Sequence, residues 1–232
     1  MINKSKLSNQ LTRFLNAIHK EYFNAKQILV KARYTKRVIR GRGRSISSIT
    51  EDLFAKLLCR IFKSKNIIIF VDQPVSLVEE GQVYYPDIII TKKLKDKKFE
   101  ILYMLDLKMD IGWHRNTAFQ HPKKLEECCD EMKNSRLKAK LKNKLLNEKN
   151  NFEFYICDDA SYDMVIVSSR NSGNPKNESK LLKLSSQNNK NLWVLSYGSH
   201  PNRAEKKIDI KANFKDWMAL VKKINKVLKN NL

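Results

Sequence analysis

Long apolar runs are missing from this chain of 232 residues. Nothing approaches the roughly 18 uninterrupted apolar residues of a membrane span. The opening MINKSKLSNQ holds neither an apolar stretch nor a small-residue cleavage site, so no signal peptide and a cytoplasmic location are expected. Cysteine is scarce: Cys59, Cys128, Cys129 and Cys157 are the full set. No Cys-x-x-Cys occurs, and adjacent thiols lack zinc-ligand spacing, so reduced thiols are the expectation. Acids are in deficit, 24 Asp+Glu against 46 Lys+Arg, a net charge of +22. An excess of that size calls for a polyanionic partner, and nucleic acid is the commonest. Hydrophobic residues make up 42%, which excludes a disordered tail. The length suits a single domain, 1–232.

The charge is uneven. Residues 1–50 carry 12 Lys/Arg and one acid, Glu21. The peak is KARYTKRVIRGRGR, with Lys31, Arg33, Lys36, Arg37, Arg40, Arg42 and Arg44. Such a run neutralises phosphates and gains affinity by counterion release, and Tyr34 can stack on a base or sugar. It has no apolar helical face of its own, which argues against a membrane-surface role. A second basic stretch, Lys133 to Lys149, reads as a solvated helical face.

Helical spacing of Leu7, Leu11, Phe14, Leu15, Ile18 and Tyr22 predicts a helix over 5–30. Ser48-x-x-Glu51 reads as a capping box opening a second helix with Leu53, Phe54, Leu57, Leu58 and Ile61 inward. Strands are expected at 67–71 (buried), 86–91, 99–107, 164–169 and 192–197, helices at about 121–147 and 213–230, and a polar loop at 168–180. This alternation predicts an α/β fold with a mixed sheet. Residues 1–45 form an N-terminal helix and basic arm, about 46–170 a core, and 171–232 a C-terminal strand and helix.

One constellation carries chemistry. Asp87 follows Pro86 and opens an apolar strand; Asp106 and Lys108 close the next. Alternate strand positions share a face, so Asp106 and Lys108 point together. A two-residue turn at Asp96-Lys97 pairs positions whose numbers sum to 193, which sets Asp87 opposite Asp106. Two opposed carboxylates repel unless a cation lies between them, and Lys108 and a divalent metal would supply one. Glu51 lies on the border of its helix's apolar stripe and Asp52 on the far side. Glu51 can instead be only the partner in its capping box, in which case Asp72, Glu79 or Glu80 could supply a third acid.

A helix acid, then Pro-Asp, then Asp-x-Lys at a strand end resembles the PD-(D/E)XK nuclease superfamily, best known from type II restriction endonucleases. The matching residues are Glu51, Pro86-Asp87 and Asp106-Leu107-Lys108. Acid-x-Lys alone is weak, since it also occurs at Asp96, Glu131, Glu178, Glu205 and Asp209, but only Asp106 ends a long apolar run. The likeness covers about half of the chain, 46 to about 170. It implies a restriction-endonuclease-like mixed sheet flanked by helices, and a homodimer acting on double-stranded DNA. It implies Mg²⁺, with Mn²⁺ as substitute, held by Asp87, Asp106 and the Leu107 carbonyl. Lys108 would orient or activate the attacking water, and Glu51 would hold a metal-bound water or a second metal. After Lys108 come Trp113, His114, Arg115, Asn116 and Gln120, a segment open to base readout, phosphate contact or plain packing. His114 and His121 read as loop residues. The competing readings are a non-catalytic nucleic-acid-binding protein and a repair, recombination or structure-specific nuclease of the same fold.

Overall fold

A computed structural model describes residues 3–31, 47–78, 81–95, 97–111, 119–133, 137–143, 148–170, 175–187, 191–201 and 207–232. The basic arm with Arg33, Lys36, Arg37, Arg40, Arg42 and Arg44, and the segment with Trp113, His114, Arg115 and Asn116, lie outside the described residues. The architecture is α/β, a mixed sheet with helices packed against it. No described helix is long and apolar enough to cross a membrane.

Helix α1, Lys4–Lys31, buries Leu7, Leu11, Phe14, Leu15 and Ile18, the stripe its periodicity predicts. Helix α2, Ser47–Ile61, packs against it, with the Phe14 and Phe54 rings 5.3 Å apart. Ser48 stands inside this helix, so the expected capping box at its start is not observed. Strand β1, Ile67–Val71, is half-buried rather than buried, because it forms an edge of the sheet. Two short strands that sequence reading missed follow: β2, Val75–Leu77, and β3, Val83–Tyr84.

Strand β4, Ile88–Lys93, pairs antiparallel with β1 and with β5, Lys98–Lys108. Ile88, Ile89, Ile90 and most of β5 are sealed from solvent, so these two strands form the floor of the core. Helix α3 covers only His121–Lys133. The expected helix to 147 is wrong: Leu137–Asn143 is strand β6. LKAKLKN alternates apolar and charged residues with period two, which suits a strand with one face covered. Lys138, Lys140 and Lys142 of this second basic stretch therefore lie on a strand and not on a helical face.

Strand β7, Glu148–Ile166, is far longer than the predicted 164–169. It runs parallel to β5; on its other edge the first half pairs with β6 and the last residues with β8, Leu192–Val194. The sheet order is β1-β4-β5-β7-β6-β2-β3. The polar loop predicted at 168–180 contains the start of helix α4, Pro175–Ser186, which buries Leu181 beneath its polar surface. The strand predicted at 192–197 divides at Leu195 into β8 and β9, Ser196–Gly198; β9 pairs with β10, Ile210–Ala212. Helix α5, Phe214–Asn231, closes the fold with Trp217, Leu220, Val221 and Ile224 inward and Asn213 as its N-cap. The four cysteines are free thiols.

Candidate active site

The site forms where β5 ends and β4 begins. Pro86 is buried and cannot donate to a ladder, so the strand proper starts after Asp87. Ile88 pairs with Leu105, which extends the register to Asp87 opposite Asp106. The expected register is reached by an unexpected route. Next to the turn, Lys93 pairs with Phe99, one position short. Leu102 bulges out of β5 between Ile101 and Tyr103 and restores the offset. Lys97 takes a positive φ of 63° in the tight turn, and the Lys98 N–H donates to the Lys95 carbonyl at 3.0 Å.

Asp87 is tied down on both sides. The Leu107 N–H donates to its Oδ2 at 2.6 Å, and its own carbonyl accepts from the Asp72 N–H at 2.9 Å. Asp72 holds a positive φ of 48° in that turn. Lys108 Nζ lies 2.6 Å from Asp106 Oδ1 and 3.7 Å from Asp87 Oδ2, a cation between two carboxylates. His121, the first residue of α3, brings Nε2 to 3.1 Å from Asp106 Oδ2. His121 thus opens a helix at the site and is not the loop residue that its sequence context suggests. No local pattern marks it, because its role comes from α3 folding back across the end of β5. Tyr162 of β7 pairs with Met104 and lies on the Asp106 face, where burial and the Asp106 and Asp87 charges raise its hydroxyl well above the ordinary value.

The electrostatics separate the acids. Burial acts to raise Asp106, but the His121 hydrogen bond and the Lys108 charge outweigh it and hold the carboxyl below the usual range. Asp87 goes the other way: burial, opposed by Lys108 and reinforced by Asp106, pushes it up to about 6. Glu51 rises to about 7, through burial and then the charges of Asp87 and Asp72. Glu51 is half-buried on the site side of α2 while Asp52 is exposed. Burial acts to lower Lys108, yet Asp106 and Asp87 keep it above its ordinary value, so it stands as an ammonium. An ammonium orients or neutralises; it does not abstract a proton.

Among the described residues no three His, Cys, Asp or Glu side chains stand close enough to form a ready-made metal cluster. The donor chemistry nevertheless fits a hard divalent cation: carboxylates at Asp87, Asp106 and Glu51 and a backbone carbonyl at Leu107 are all oxygen. Asp87 and Glu51 are both raised partly by neighbouring carboxylates, which leaves negative charge that Lys108 alone does not offset. The third acid stays separate on its helix.

Beyond Lys108 the chain is anchored by Asp110, whose Oδ2 lies 2.9 Å from Nε2 of buried His200. His19 of α1 reaches the Pro201 carbonyl at 2.9 Å, holding the same loop. The opposite face of the sheet holds a different acid. Fully buried Asp163 accepts from Tyr103, Ser161, Trp193 and Lys223 at 2.5, 2.6, 2.6 and 2.9 Å. That network is fully satisfied and sits away from the Asp106 face, so it supports the fold. No family model, curated protein or solved structure matches the chain.

Proposed function

We propose that the chain is a metal-dependent endonuclease of restriction-endonuclease-like fold that hydrolyses phosphodiester bonds of double-stranded DNA. The observation that carries this reading is the pair of carboxylates on opposed strand ends with Lys108 between them, beside the half-buried acid of α2. A protein that only bound nucleic acid would gain nothing from buried carboxylates facing a phosphate, since they repel it. Asp87, Asp106, the Leu107 carbonyl and Glu51 would hold Mg²⁺ or Mn²⁺, which supplies neutralisation of phosphate charge and a more acidic water. Lys108 meets the anionic phosphate or orients the attacking water by donating a hydrogen bond. His121 keeps the Asp106 carboxylate ionised and fixed in direction, and the Leu107 N–H fixes the direction of the Asp87 carboxyl. The net charge of +22 draws the polyanion in. As a type II restriction enzyme it would work as a homodimer, one strand cut by each protomer.

The test is incubation of the purified protein with plasmid and phage DNA at low salt, with Mg²⁺, with Mn²⁺ and with EDTA, beside Asp106→Asn. Discrete metal-dependent bands absent from the variant are expected. A metal-dependent smear would remove the restriction reading and favour a repair, recombination or structure-specific nuclease. No cleavage, with salt-sensitive binding unchanged in the variant, would make the chain a non-catalytic nucleic-acid-binding protein.

A further inference from the structure

A groove of about 610 Å³ runs between α1 and α2, on the flank of α2 turned away from the active site. Its charged lining is wholly basic: Lys6 and Arg13 from α1, Lys56 and Arg60 from α2. Asn9 and Gln10 add amides, and no carboxylate lines it. All four cations are exposed, and among the described residues none of them forms an ion pair. The spacing is regular. Lys6 and Arg13 are seven apart, so they share one face of α1 about 10 Å apart along its axis. Lys56 and Arg60 are four apart and share one face of α2. Four like charges crowded into one concave surface repel one another, and a polyanion is the ligand that offsets them.

From this placement we infer that the α1–α2 groove is a second nucleic-acid-binding track, holding phosphate backbone outside the cleavage site. One nucleic-acid strand carries a phosphate per roughly 3.4 Å of axis, so a 10 Å span of cations covers about three of them. The amides suit phosphate and sugar oxygens, contacts that position a duplex without reading its sequence. With about 100° per residue, Lys56 and Arg60 point about 140–180° away from Glu51 around α2. The groove therefore does not continue the active site. It engages a flanking stretch of the duplex or a second duplex. The choice of nucleic acid as the polyanion rests on the nuclease reading; the groove and its charges do not.

The experiment is fluorescence anisotropy of a labelled 30-base-pair duplex with the full chain in EDTA, across a salt series. Arg13→Gln with Arg60→Gln is compared with Lys183→Gln with Lys226→Gln, which removes the same charge from exposed lysines on α4 and α5. The groove variant is expected to bind about tenfold more weakly at low salt, and the slope of log K against log salt to fall by about 1.8, two phosphate contacts' worth. The control pair should lose less than twofold. Equal losses in both pairs would reduce the effect to net charge and overturn the proposal, as would no loss in the groove variant. Displacement of the duplex by inorganic phosphate, beyond chloride of equal ionic strength, would make the groove a small-anion site and also overturn it. Metal-dependent cleavage is scored separately with the unaltered chain, so an inactive protein whose groove variant still loses duplex binding would end the nuclease reading and leave the groove standing.

Discussion

In metal-free buffer at pH 8, Asp87→Asn is expected to stabilise the protein. Burial first, and then the Asp106 charge, place the folded carboxyl at about 6 against an ordinary 3.8. A carboxyl raised by folding contributes its stability below the unfolded value and loses it as pH rises through the folded one. By pH 8 the ionised group is held in the fold at a cost. About two pKa units at roughly 1.4 kcal/mol each give about 3 kcal/mol. The Asp87 side chain is 20% exposed, and water screening brings the figure to about 2 kcal/mol. Asparagine keeps an acceptor for the Leu107 N–H, so that hydrogen bond survives. In a chain of this size about 2 kcal/mol corresponds to a rise in Tm of about 4–8 °C. Thermal unfolding followed by circular dichroism in EDTA, at pH 8 and pH 5, reads the effect. At pH 5 the native carboxyl already holds its proton while the unfolded one is still largely ionised, so the gap should narrow to about half, and it should close only below the ordinary value of 3.8. With millimolar Mg²⁺ at pH 8 the native chain should gain stability and the variant gain less. A variant less stable than the native chain at pH 8, with no narrowing at pH 5, would refute the reasoning and reduce Asp87 to an ordinary strand-end acid.

Three further outcomes follow from the same geometry. His121→Ala should lower kcat of DNA cleavage by about 10–100-fold with little change in KM, since it removes the donor that fixes Asp106; His121→Gln should retain more activity. Lys108→Met should reduce cleavage about a hundredfold or more, well beyond the loss of gel-shift affinity in EDTA that follows from leaving Asp106 and Asp87 without their cation. Lys223→Met should cost about 3 kcal/mol in urea unfolding by leaving buried Asp163 without its cation, yet leave cleavage by the folded protein unchanged.

Sequence reading found the elements with strong periodicity and missed those with competing signals. Helices α1, α2 and α5 each present a continuous apolar stripe, and their limits lie close to the expected ones. Strand β6 was lost because its lysines suggested a solvated helix, although Leu137, Ala139 and Leu141 alternate with Lys138, Lys140 and Lys142. Helix α4 was hidden by Asn, Ser and Lys, although Pro175 opens it in the position where proline suits a helix start. The early part of β7 carries Phe152, Phe154 and Ile156 at alternate positions, a strand signal that went unread.

For the site, sequence alone determined which groups share a face. Strand alternation puts Asp106 beside Lys108, and helical rotation separates Glu51 from Asp52; both follow from local backbone geometry. It did not determine what those groups meet across the fold. The 193 register holds at the site only because a turn one position short is offset by the Leu102 bulge, and a single residue's slip would have turned Asp106 to the other face. His121 reaches Asp106 across 15 positions of sequence. The groove of α1 and α2 gathers cations from two helices joined by the arm. Contacts of this kind depend on packing between elements distant in sequence, so they were decided only when the tertiary structure closed.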